Sequence, residues 1–141
     1  MKKSYRTKLR EKLDKLWSKV VRTRDRYICQ WCQYRRGEEI FPNKRNHAHH
    51  IIAKGACGFH GRFMVNNGIT LCYYCHIYLI KQKSREFNKF LDKWLLNNGL
   101  TYNELECRIK AASKMTTEEM EERCEQLENT LIILETENEG L

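Results

Sequence analysis

The chain has 141 residues, 41% hydrophobic and 31% charged with a single proline, which suits one domain with a modest core and excludes a disordered polymer. Its formal charge of +8 is unevenly spread: residues 1–54 carry 16 Lys and Arg against 5 Asp and Glu, residues 55–115 carry 9 against 4, and residues 116–141 carry 1 against 9. A basic body of this kind attracts polyanions, so nucleic acid is the expected partner. No stretch is apolar enough to span a membrane, and the charged N-terminal segment lacks the apolar region of a secretory signal, so a cytoplasmic protein with no membrane partner is expected.

In chain order, Leu9, Leu13, Leu16, Trp17, Val20 and Val21 fall on one helical face and predict a helix over residues 5–24. Lys8, Lys12, Lys15 and Lys19 line another face, where they can follow a phosphate backbone or simply face water. Residues 47–52 read as a short strand, the glycine-punctuated segment 54–62 as a loop, Asn67-Gly68 as a turn, and Ile69-Thr70-Leu71 as a second strand. A helix over about 73–83 completes a β-hairpin followed by a helix. Phe87, Phe90, Leu91, Trp94 and Leu95 mark another core-facing helix after Ser84, stopped by Asn98-Gly99. Thr101 to Glu104 and Thr116 to Glu119 match capping boxes and predict two further helices.

The last helix, 117–138, spaces Met120, Leu127, Leu134 and Leu141 seven apart, with Cys124, Leu131 and Asn138 between them. Three roles fit this seam: packing on the parent domain, forming a homodimer through the C-terminal helix, or laying its acidic residues on the basic surface in competition with nucleic acid. The expected organisation is a basic helix at 1–26, a metal-bearing core at 27–83, a helical extension at 84–115 and an acidic helix at 116–141.

Seven cysteines without a signal segment favour metal thiolates plus free thiols. Cys29-x-x-Cys32 and Cys72-x-x-Cys75 suit a closed tetrahedral structural zinc that clamps both ends of the segment between them. Cys57, Cys107 and Cys124 are left as small apolar residues, expected to be buried. Inside the clamped segment lie His47, His49 and His50, with His76 directly after Cys75. Adjacent strand residues face opposite sides, so His49 and His50 should not serve one ion in the same way.

His49-His50-Ile51-Ile52, then Asn67-Gly68-Ile69-Thr70-Leu71-Cys72, then Tyr73-Tyr74-Cys75-His76, preceded by Cys29-Gln30-Trp31-Cys32, resembles the HNH endonuclease family, the His-Me finger or ββα-metal fold, over residues 27–80. The resemblance implies a mostly helical α+β protein with a ββα-metal core and a structural four-cysteine zinc, flanked by an N-terminal helix and C-terminal helices. It implies a phosphodiester hydrolase cutting DNA, with His50 as general base, Asn67 (or Asn66 in its place) bracing the loop that orients it, and His49 and His76 holding a catalytic divalent ion. Magnesium or manganese is the first expectation for that ion, and zinc or nickel suit two imidazoles. His60 and His47 are additional candidates, as ligands or phosphate contacts. Lys8, Lys12, Lys15, Lys19 and Arg62 are expected to meet nucleic acid. The compact size and helical flanks are also similar to small phage nucleases, including NinG-type recombination proteins, which implies branched or recombination DNA as substrate. A zinc-dependent nucleic-acid-binding module without catalysis is the alternative.

Overall fold

The computed structural model describes residues 1–37, 40–110 and 114–140. It is mostly helical, with one two-stranded antiparallel sheet, β1 (His47–His50) and β2 (Gly68–Leu71), at its centre. Among the described residues no helix is long and apolar enough to cross a membrane.

The first helix, α1 (Tyr5–Arg24), starts where the Ser4 side chain accepts a hydrogen bond from the Thr7 amide, and it buries Leu9, Leu13, Trp17, Val20 and Val21. The last, α7 (Thr117–Glu139), starts where Thr116 accepts from the Glu119 amide. These two helices pack on each other. Tyr5 Oη donates to Glu121 at 3.0 Å, Lys12 meets Glu128 at 2.8 Å and Lys19 meets Glu135 at 3.7 Å. Each pair lies one heptad beyond the last on both helices, so α1 and α7 run parallel in a short coiled-coil-like seam. Met120, Cys124, Leu127 and Leu131 are therefore buried within the same chain, in one cluster with Leu9, Leu13, Trp17 and Val20. Of the three roles open to the final helix, the packing and the acid-on-base contact are both seen, whereas Leu141 of the expected heptad lies outside the described residues.

Past α1, Arg26 and Tyr27 take left-handed backbone conformations, φ 55° and 59°, and the Tyr27 amide closes on the Arg22 carbonyl at 2.8 Å. This turn delivers the chain to α2 (Gln30–Arg36), whose N-cap is Cys29. The hairpin register pairs His47 with Leu71, Ala48 with Thr70, His49 with Ile69 and His50 with Gly68. The expected strand to residue 52 stops at 50, because the Ile52 amide and carbonyl are both taken by the Asn67 side chain and leave no free edge for the ladder. The loop between the strands contains a short helix, α3 (Gly58–Arg62).

Residues 73–82 wind as one helical segment, but the stretch Cys75–Leu79 is π-helical before the α-helical end, α4 (Ile80–Gln82). Nothing in the apolar spacing of this segment marks the widening. Then come α5 (Ser84–Asn97), which buries Phe87, Phe90, Leu91 and Leu95, and α6 (Tyr102–Lys110). A second buried cluster gathers Trp31, Ile69, Leu71, Leu79, Phe87 and Phe90 around Cys29 and Cys75. Of the leftover thiols, Cys57 and Cys124 are buried as expected, but Cys107 is exposed on α6.

Candidate functional site

The four paired cysteines converge. One Sγ from each of Cys29, Cys32, Cys72 and Cys75 lies within 4.8 Å of every other, with Cys32 3.7 Å from Cys72 and 3.5 Å from Cys75. A tetrahedral zinc with metal–sulfur bonds of about 2.3 Å requires sulfur–sulfur edges of about 3.8 Å, so the donor set fits a metal ion such as zinc. Both pairs are built alike. The Cys32 amide points at the Cys29 sulfur and the Cys75 amide at the Cys72 sulfur, each at 3.5 Å. The Cys29 and Cys75 thiols and the Cys75 amide, all directed at Cys72, hold its thiol well below the usual range. Arg35 sets Nη2 3.5 Å from the Cys32 sulfur and 3.4 Å from that of Cys75, a cation that offsets clustered thiolate charge.

The histidines divide between the two faces of the hairpin, as the strand alternation predicts. His47 and His49 share the face toward the second apolar cluster and His76. The His49 and His76 rings lie 4.9 Å apart, and His47 Nδ1 is 2.9 Å from His76 Nδ1. Burial, with His76 and then His50 nearby, pushes the His49 pKa down to about 4; burial and then His47 lower that of His76. Both imidazoles are thus neutral at physiological pH, the form that ligates a metal. Sequence reasoning paired His49 with His76 and offered His47 only as an additional candidate; the structure sets His47 beside His76. A cleft of about 490 Å³ opens beside His49, walled by Ile51, Ile80, Phe87, Asp92 and Tyr102.

His50 lies on the opposite face, against α1. Its ring stacks on Trp17, centroids 3.9 Å apart and planes within 9°, and Trp17 is itself fixed by its Nε1–H donating to the Met64 carbonyl at 2.8 Å. His50 Nε2 is 2.9 Å from the Arg62 carbonyl. A carbonyl only accepts, so Nε2 carries the hydrogen and the neutral ring keeps its lone pair on Nδ1. Burial lowers the His50 pKa, partly opposed by that hydrogen bond. The Arg62 carbonyl is steadied in turn, because its guanidinium forks onto Asp14 of α1, Nε to Oδ1 at 2.8 Å and Nη2 to Oδ2 at 2.6 Å.

Asn67 is fully buried and ties three strands of backbone together. It accepts from the Ile52 amide at 2.7 Å and donates to the Ile52 and Gly61 carbonyls at 3.1 and 3.0 Å. Asn66, by contrast, is exposed.

Several residues expected at a nucleic-acid surface are engaged elsewhere. Arg62 is bound to Asp14, Lys12 and Lys19 face α7 glutamates, and His60 pairs with Glu119 at 3.3 Å, away from the other histidines. Lys8 and Lys15 are exposed. Sequence reasoning missed Trp17 and Asp14 as supports of His50. Trp17 sits in an apolar stripe and reads as core, and nothing in the sequence marks it as the aromatic that stacks on His50. No protein-family model, curated protein or solved structure matches this chain.

Proposed function

We propose that the chain is a metal-dependent HNH endonuclease that hydrolyses DNA phosphodiester bonds, with β1, β2 and the helical segment at 73–82 as a ββα-metal core. The observation that carries the proposal is the state of His50: buried enough to be neutral, held by the Arg62 carbonyl as the Nε2–H tautomer, and backed by Trp17. Such an imidazole is a preorganised general base. Its Nδ1 takes a proton from water as the water oxygen attacks phosphorus, the bond from phosphorus to the 3′ oxygen breaks, and that oxygen takes a proton from a second, solvent water on leaving, the hydroxide so formed being neutralised by the proton that His50 gives up. The products are a 5′ phosphate and a 3′ hydroxyl. Asn67 keeps the turn after β1 against Gly61, and so keeps His50 aligned with the Arg62 carbonyl beside it.

His49 and His76 would hold the divalent ion, whose chemistry is to stabilise charge on the phosphate and the leaving oxygen. The four cysteines would hold a structural zinc that fixes the helix carrying His76. A second reading, a zinc-dependent nucleic-acid-binding module, is favoured by one specific observation: residues 40–85 contain seven Lys and Arg and no Asp or Glu, a field that binds phosphates without any chemistry.

The test is incubation of wild type and His50→Ala with supercoiled plasmid and a labelled four-way junction, in magnesium, manganese, nickel or zinc. Cutting that needs the ion and falls at least a hundredfold in His50→Ala is expected, in line with the usual worth of a general base. Equal cutting by both proteins, or salt-sensitive binding without cutting, would transfer the assignment to the binding module.

A further inference from the structure

Three tyrosines stand exposed beside the histidine group, and the function proposed above does not use them. Tyr73, Tyr74 and Tyr78 retain 57%, 54% and 48% of their surface. They are not scattered. Tyr73 meets Tyr78 edge-on at 5.9 Å and Tyr74 lies against Tyr78 at 6.1 Å, while Tyr73 also meets the His47 ring edge-on at 5.8 Å. An α-helix brings residues four apart together but not five apart. The π-helical stretch Cys75–Leu79 widens the turn, so Tyr78 touches both Tyr74, four residues before it, and Tyr73, five before it. The widened turn thus gathers three amphipathic rings into one patch whose edge is His47, 2.9 Å from His76.

The surroundings select the partner. No acidic residue occurs between Ile40 and Arg85, and Lys81, Lys83 and Arg85, all exposed, follow Tyr78 along the chain. Glu86 takes Lys83 at 3.9 Å, which leaves Lys81 and Arg85 in excess, and aromatic faces in so basic a stretch match a strand that offers bare base faces and phosphates together. A duplex hides its base faces in the stack, and an apolar protein partner would not require a net-basic setting.

We propose that Tyr73, Tyr74 and Tyr78 form a stacking platform for unpaired bases, so that the preferred DNA carries a single-stranded segment next to the bond held at the histidine group. The position of that bond rests on the nuclease reading; the binding preference does not. Branched and flapped DNA fit this class because they present unpaired bases beside a duplex.

The experiment measures binding by fluorescence anisotropy, without added divalent ion, in a His50→Ala background. It compares a single strand, a duplex of equal length and a duplex with a single-stranded flap. Tyr74→Ala/Tyr78→Ala is expected to lose tenfold or more in affinity for the single strand and the flap while duplex affinity stays within about twofold, and Tyr74→Phe/Tyr78→Phe is expected to keep both, because stacking needs the ring and not the hydroxyl. Single-strand affinity unchanged in the alanine pair, or an equal fall for all three DNAs, would overturn the platform. Should the alanine pair melt early, photocrosslinking of the folded protein to an iodouracil-bearing single strand decides: crosslinks at residues 73–78 support the platform and crosslinks only elsewhere reject it. A protein that shows the binding preference yet cuts nothing with any ion would refute the nuclease reading alone, whereas one that cuts but shows no preference would refute the platform alone.

Discussion

The two faces of the β-hairpin are held by different physics. The face bearing Ala48 and His50 rests on α1 and, through α1, on α7; it is fixed by apolar side chains of two long helices. The face bearing His47 and His49 rests on the cluster around Trp31, Phe87 and Cys75, which is built about four thiols that fit a metal ion. The proposed base is therefore held by packing that needs no ion, while its proposed ligand partners sit on a part built around four thiols that could hold one. Preorganising a proton acceptor calls for a fixed ring and a fixed tautomer, which a tryptophan plate and a carbonyl supply. Grouping neutral imidazoles calls for a converging backbone, which a metal held by the four thiols would supply.

The largest expected effect breaks the metal-dependent side. Zinc bound by four thiolates contributes on the order of 10 kcal/mol in small modules, comparable with the whole stability of a domain this size. Cys29→Ser should lose the metal and the cooperative melt together, and its remaining helical signal should come mainly from α1 and α7. Metal analysis and circular dichroism of the purified variant check this. Stoichiometric zinc and a melting curve like that of wild type would remove the clamp from the account.

A smaller effect should break the packed side alone. Gly68 faces His50 across the ladder, and a Cβ added there would lie 2.5 Å from Val21 Cγ2 and 2.7 Å from Trp17 Cζ2. Gly68→Ala must shift α1 or the ring that backs His50, at a cost of roughly 1–3 kcal/mol by the usual measure of overpacked cores. Expected together are a lower melting temperature, full metal content and weaker cutting with little change in DNA affinity. Loss of zinc from this variant would show that the two faces are not separable.

How far the sequence exposed this design differs between the two sides. The cysteine pairs were legible because their spacing carries the chemistry directly, and the hairpin and flanking helices were legible because apolar periodicity and capping residues mark them. Asn67 was legible by its place before Gly68 and Leu71, although its three backbone partners come from segments fixed only on folding. What escaped depends on contacts distant in sequence. Trp17 differs from its neighbours only in what it meets, and the lysine row reads as free until α7 is laid against it from more than a hundred residues away. Arg62 likewise looked available to DNA, and only the folded chain sets Asp14 across from it.

The smallest expected effect concerns that lysine row. Lys12 and Glu128 are both about half exposed, their contact of 2.8 Å lies in water, and such pairs contribute at most about 1 kcal/mol. The seam between α1 and α7 should therefore survive Lys12→Ala, Glu128→Ala and the double variant, with melting temperatures only a few degrees apart. DNA affinity should separate them. Glu128→Ala frees a cation on the basic helix and is expected to tighten binding severalfold and steepen its salt dependence, because each further phosphate contact adds close to one unit to the slope. Lys12→Ala, whose cation already faces a carboxylate, should change affinity less than Lys15→Ala, whose side chain is exposed on the same helix. Salt titrations of the four variants against one duplex would measure this. If Lys12→Ala weakens binding as much as Lys15→Ala does, then α7 does not screen the basic helix, and its acidic residues serve the fold only through the packed seam beneath them.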